Sequence, residues 1–239
     1  MVLEVCAQSI ESCLNAQKGG AWRIELCQAL ELGGLTPSSS LIQSAKNYLT
    51  LPVHVLIRPR PGSFRYTRIE KESMLLEIDN VKAMGADGVV VGALQDDETI
   101  DWEFAERIAF RAAPLDLTFH RAIDLTPDPA ASVSKLADLG YNRILTSGGK
   151  SKAAEGIATI QNMIEAADDR IEIMVGSDVN AENIAQFAEI GVQEFHMSGS
   201  MPIEGARSDL FDLTYSETDP QAIRAAKKVI KALRRAEKD

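Results

Sequence analysis

Residues 117–124 read Leu-Thr-Phe-His-Arg-Ala-Ile-Asp, "LTFHRAID". The stretch opens as a buried strand does, on apolar and β-favouring side chains. It closes on His120 and Arg121, with Asp124 three residues later. Burying a charge is costly unless it is paired or used, so this strand must end where charge has a partner or a task. Whether that place is local or general depends on the other strands. Seven further runs of strand length accompany it: LEVCA, RIELC, PVHVLIR, GVVVGA, RILTSG, IEIMVG and EFHMSG. Between them lie amphipathic stretches such as KESMLLEIDNVKAMG and PAASVSKLADLG. Gly20, Gly85, Gly140 and Gly191 each stand shortly before a strand, where glycine ends a helix in the left-handed conformation. Asp128-Pro129 and Asp219-Pro220 mark helix starts, with an acidic cap before proline in the first turn.

Strict alternation of strand and helix implies a parallel sheet. Eight units of about thirty residues match a closed (β/α)₈ TIM barrel. The alternative is an open doubly wound sheet, but no G-x-G-x-x-G follows the first strand. No linker divides residues 1–239, so one barrel domain is expected, with an irregular connection near residues 200–219.

Side chains alternate across a strand, so residues two apart share a face. That rule groups Glu4 with Cys6, Glu25 with Cys27, His54 with Arg58, Thr118 with His120, and Glu194 with His196 and Ser198. The opposite parity is apolar throughout these strands and must face the helices. The polar set must face the barrel axis, and it includes all three histidines of the chain. Barrel interiors usually hold branched apolar residues. An interior with Glu4, Glu25, His54, Arg58 and His120 needs either compensating ion pairs or a ligand at the C-terminal mouth, where barrel sites are built.

The loops after the strands add cations and small residues. Arg58 and Arg60 follow strand three, Arg121 follows strand five, and Ser147, Gly148 and Lys150 follow strand six. Ser198 and Gly199 follow strand eight. Small residues before helix N-termini expose backbone N–H groups that suit anions. In a chain of net charge −10, such a cationic mouth points to a small anionic ligand. Cys6 and Cys27 form a second constellation: equivalent residues of adjacent strands, expected at one height, where two thiols could share a soft ion such as Cu(I). The bland alternative is two small buried hydrophobes. No C-x-x-C or His-x-His cluster supports a conventional catalytic zinc site.

The acidic balance excludes a nucleic-acid partner, which needs surplus Lys and Arg. No run of 18 apolar residues crosses a membrane. The basic segment IRAAKKVIKALRRAEKD carries Ile223, Ala226, Ile230 and Leu233 at helical spacing and reads as a last helix packed on the barrel. Three cysteines in a long chain fit a reducing cytoplasm better than a disulfide scaffold.

At LEVCAQSIES, GGAWRIELC, GGLTPSSSLI, PVHVLIRPRPGSF, ADGVVVGAL, LTFHRAID, RILTSGG and EFHMSGS the chain resembles the CutC family, in order up to about residue 200. The resemblance implies a cytoplasmic (β/α)₈ barrel, often a homo-oligomer (dimer or tetramer). It also implies a copper-homeostasis role, with copper (Cu⁺) carried onto Cys6 and Cys27. The chain departs from the family's pattern at RPGSF and VGSDV and after Ser200. Two readings follow. In one, the barrel handles Cu(I) through the cysteine pair. In the other, it is an enzyme acting on a small anionic, possibly phosphorylated, metabolite. There His120 would be the general acid or base, oriented by Asp124 or a glutamate, with Glu25, His54 and His196 in the catalytic set. Arg58, Arg60, Arg121 and the Ser-Gly loops would hold the anion.

Overall fold

The strand-length runs close on themselves. The computed structural model describes residues 1–203 and 214–236. Its eight parallel strands form a closed barrel in chain order: β1 (Val2–Ala7), β2 (Arg23–Leu26), β3 (Val53–Leu56), β4 (Gly88–Val91), β5 (Asp116–Phe119), β6 (Arg143–Thr146), β7 (Glu172–Val175) and β8 (Glu194–Met197). Helices α1 (Ile10–Gly19), α2 (Ser39–Tyr48), α3 (Arg68–Ala83), α4 (Trp102–Ala112), α5 (Pro129–Asp138), α6 (Ile157–Ala167) and α7 (Ile184–Glu189) connect consecutive strands, and α8 (Pro220–Ala236) follows.

Local chemistry sets the boundaries. Thr67 and Glu70 form a reciprocal capping box at the start of α3, a device that stabilises by about 1 kcal/mol. The Asp128 carboxylate caps α5 ahead of Pro129. Gly20, Gly85, Gly140 and Gly191 all have positive φ, as the helix-to-strand joints require. The outward parity of the strands (Leu3, Val5, Ile24, Val53, Val55, Phe119 and Phe195 among others) is buried in one core with the inner stripes of the helices. α8 buries Ile223, Ala226 and Ile230 and lays Lys227 and Arg234 over the Trp22 ring at 5.0 and 5.3 Å. It is a packed helix, and among the described residues no helix is long and apolar enough to cross a membrane.

The connection expected to be irregular near 200–219 is partly regular. Ser200–Ile203 and Tyr215–Thr218 pair as an antiparallel hairpin, β9 and β10, beside the mouth of the barrel. Residues 204–213 of that connection lie outside the described residues.

Candidate active site

The barrel interior has two polar levels. The lower one, at the N-terminal ends of the strands, is an ion-pair network. Arg23 Nε donates to Glu4 Oε2 and Arg23 Nη2 to Glu194 Oε2, both at 2.5 Å. Arg143 Nε donates to the same Glu194 oxygen at 3.1 Å, and Arg143 also reaches Thr118 Oγ1 and Asp116 Oδ2. His54 Nε2 lies 3.7 Å from Asp116 Oδ2. Burial, with Arg23 and Arg143 adding, pushes the His54 imidazole down to about 4, so it is neutral at ordinary pH. Arg23 and Arg143 are absent from the residues singled out by sequence, although Arg23 shares the parity of Glu25.

The upper level faces a cavity of about 1140 Å³ at the C-terminal mouth, lined by Cys6, Glu25, Arg58, His120, Arg121 and His196 together with Ser198 and Gly199. The inward histidines fit because the neighbouring strands carry glycine. A Cβ on Gly88 would stand 2.7 Å from the His54 ring, one on Gly92 2.7 Å from His120 Nδ1, and one on Gly176 3.2 Å from His196. All three histidines thus point inward. His54 and Glu4 nevertheless belong to the lower network and do not line the mouth cavity, so the three imidazoles do not share one cavity.

His196 Nδ1 is 2.8 Å from Glu4 Oε1 and 3.9 Å from Glu25 Oε2. Burial alone would depress the His196 imidazole, but Cys6 beside it, the Glu4 hydrogen bond and Glu25 hold it well above its usual range. Glu4 is fully buried, yet Arg23 and His196 hold its carboxyl well below the usual range. Glu25 has no such arginine contact. Burial, reinforced by Glu4 and opposed by His196 and Arg23, lifts it to about 7. One neighbourhood thus holds a committed anion, a cation and a carboxyl that titrates near neutrality, the arrangement that supports acid–base chemistry.

Several expected site residues sit elsewhere or are otherwise engaged. Asp124 does not orient His120. Its carboxylate accepts from Thr146 Oγ1 (2.6 Å), Ser147 N and Oγ, and Gly149 N, with Arg121 Nε at 2.9 Å. The loop expected to cradle an anion therefore cradles the chain's own carboxylate. Ser147, Gly148 and Lys150 do not line the cavity: the Gly148 N–H donates to Thr146 Oγ1, and the Lys150 carbonyl accepts from Arg121 and Ser147. Arg60 does not reach the mouth either. It pairs with Glu70 at 2.5 Å and lies over Tyr66. Arg58 does line the cavity, with its Nη atoms donating to the carbonyls of Leu32, Gly34 and Gly62.

The cysteines also depart from expectation. The register sets Cys6 opposite Glu25 and Glu4 opposite Arg23, so Cys27 stands two residues further along its strand than the level of Cys6, not at one height. Cys27 Sγ points to the Ala7 carbonyl at 3.6 Å, in an apolar layer with Leu56 and Val90. Burial, with Cys6 and Glu25 adding, pushes its thiol well above the usual range. Cu(I) wants thiolates, so the pair does not fit a preformed two-thiolate site. The described residues that could bring three ligand atoms together are Glu4, Glu25 and His196, within 4.8 Å of one another. Glu4 is already bound to Arg23 and His196.

The CutC family model matches residues 1–201. A family protein CutC of Pasteurella multocida is 44% identical over 200 residues, covering 83% of this chain and 82% of that one. A human protein named copper homeostasis protein cutC homolog is 45% identical over 198 residues, covering 82% and 72%. The crystal structure of CutC from Streptococcus agalactiae superposes with a TM-score of 0.79 at 36% identity, over 83% of this chain and 99% of that one. The barrel, the run of matched residues through β8 and this level of identity agree: the chain belongs to the CutC family.

Proposed function

We propose that the mouth cavity is the active site of an enzyme that moves a proton on a small anionic metabolite. One observation carries this reading. Three side chains that line the cavity each hold a buried polar atom with no hydrogen-bond partner among the described residues: Glu25 Oε2, Arg58 Nε and His120 Nε2. Leaving such an atom unsatisfied costs roughly 1–3 kcal/mol, so the wall is built at a cost to stability, as functional sites are. Arg58 brings a positive charge to the wall and Glu25 a carboxyl that titrates near neutrality, so the proposed complement is an oxygen-rich anion next to a transferable proton. Arg121, half-exposed at the rim, supplies a further cation. Ser198 and Gly199 form the wall nearest the β9–β10 hairpin. The three free cysteines fit a reducing compartment such as the cytoplasm.

A copper role through Cys6 and Cys27 is the second reading. It is favoured by the human relative's name and by the presence of both thiols inside one barrel. It is opposed by the offset register and by the protonated, carbonyl-directed Cys27 described above. Copper also leaves Arg58, His120 and Glu25 without a task.

A thermal-shift screen of a metabolite library, run with and without Cu(I) under reducing conditions, tests the proposal. Stabilisation by a set of small anions, independent of copper and lost in Arg58→Met, is the expected result. Stabilisation by Cu(I) alone would favour the second reading.

A further inference from the structure

Cys6 lies on the inward face of β1, two residues past Glu4. The register sets Glu4 level with His196, so Cys6 stands one inward step nearer the mouth. It lines the cavity and keeps 7% of its surface, against none for Cys13 and Cys27. Its strand is paired on both sides, so that surface belongs to the side chain. The Cys6 side chain shares a hydrogen bond with His196. The same imidazole, through Nδ1, meets Glu4 Oε1 at 2.8 Å, and Arg23 fixes Glu4 in turn. A thiol beside a ring that a carboxylate orients is the arrangement of an activated nucleophile.

The two imidazoles on the cavity wall differ in charge. Burial and Arg58 push His120 down to about 3, and its Nδ1 accepts from the Ala122 N–H at 3.2 Å. Burial also opposes a charge on His196, but Cys6, Glu4 and Glu25 outweigh it and hold that ring well above its usual range. The thiol that reaches the cavity is therefore the one with a cation beside it. The other two cysteines are unsuited. Cys27 Sγ is directed at a carbonyl, and burial, with Glu11 adding, pushes the Cys13 thiol up to about 12.

We propose that Cys6 is a nucleophilic thiol, activated by His196 and positioned by Glu4 through that ring, and that it takes up small electrophiles bearing an anionic group. The anionic half of this class rests on reading the mouth as an anion site; the nucleophile does not. The Cys6 thiol passes its proton to His196. A sulfur electron pair forms a bond to the electrophilic carbon of the ligand. The bond from that carbon to its leaving group breaks, and its electron pair departs with the group. His196 returns the proton to a basic leaving group, whereas a halide needs none. No oxidant or reductant takes part.

The test alkylates the full chain with iodoacetamide or iodoacetate, in the presence of a metal chelator. It is run at about pH 6, where Glu25, lifted to about 7, is still protonated. Peptide mass spectrometry reads the rate at each cysteine, with glutathione as the free-thiol standard. Cys6 should react with iodoacetamide at least about tenfold faster than glutathione, as a thiol beside a cation does, and Cys13 and Cys27 should stay unmodified. The ratio of iodoacetate to iodoacetamide rates should be about tenfold higher at Cys6 than at glutathione, the gain from a nearby positive charge. His196→Gln should slow both reagents at Cys6 and erase the iodoacetate advantage. Equal or faster alkylation in that variant overturns activation by His196; if the variant does not fold, the wild-type rates decide alone. A Cys6 no faster than glutathione overturns the nucleophile and leaves the anion cavity, tested by thermal shift, standing. A fast Cys6 without an iodoacetate advantage overturns the anionic class and, with it, the anion reading of the mouth.

Discussion

Replacing Glu25 by glutamine should make the protein more stable, and only at the alkaline end of its range. Glu25 is buried, its Oε2 has no hydrogen-bond partner among the described residues, and its carboxyl is lifted from 4.5 to about 7. At about 1.4 kcal/mol per tenfold in proton affinity, ionising it inside the barrel costs about 3 kcal/mol relative to the unfolded chain. Between those two values the folded protein binds more protons than the unfolded one, so stability falls as pH rises through that window and levels off above it. Glutamine mimics the protonated carboxyl and does not titrate. Urea unfolding of wild type and Glu25→Gln at intervals from about pH 5 to about pH 8.5 isolates the titration of Glu25 and the His196 and Glu4 groups beside it, since more distant titrations cancel in the difference. The variant should nearly match the wild type at the acid end and exceed it by about 3 kcal/mol at the alkaline end. A Glu25→Gln protein less stable than wild type by the same amount at every pH would show that the carboxylate is ionised and well bonded, and the acid–base argument would fail with it.

Other perturbations address the surrounding parts. Asp124→Ala should destabilise by roughly 3–5 kcal/mol in urea unfolding, because it strips the acceptor from Arg121, Thr146, Ser147 and Gly149 at once; a loss below ~1 kcal/mol would mean the loop does not depend on that carboxylate. Gly92→Ala should cost about 1–3 kcal/mol in urea unfolding through overpacking against the His120 ring, and unchanged stability would place the ring elsewhere. In a Cu(I) competition titration against a chelator of known affinity, Cys27→Ser should stay within about threefold of the wild type. A hundredfold loss in both Cys27→Ser and Cys6→Ser would restore the cysteine pair as a copper site.

The period of two along a strand is enough to place Glu4, Glu25, His54, His120 and His196 inside the barrel, because one face of each strand is unambiguously apolar. The same rule reaches Arg23, which lies two residues before Glu25, and Arg143, two before Leu145. What the rule cannot give is stagger. Closing eight strands shifts neighbours along one another, and that shift sets Cys6 against Glu25 instead of Cys27 and drops His54 and Glu4 into the lower network. Beyond the strand ends, parity no longer applies. Arg60 and Asp124 choose partners from other elements, Glu70 of α3 and the residues 146–149 at the end of β6, and no local pattern in the chain reveals that choice. The neutral form of His120 is likewise decided by a turn that directs the Ala122 N–H onto its Nδ1.

The most direct measurement is a crystal structure of the protein grown with Cu(I) under reducing conditions and soaked with the anion that stabilises it most. The account predicts ligand density in the mouth cavity beside Glu25, Arg58 and His120, with no anomalous copper signal between Cys6 and Cys27. A copper peak bridging the two sulfurs, with no ligand in the mouth, would contradict it.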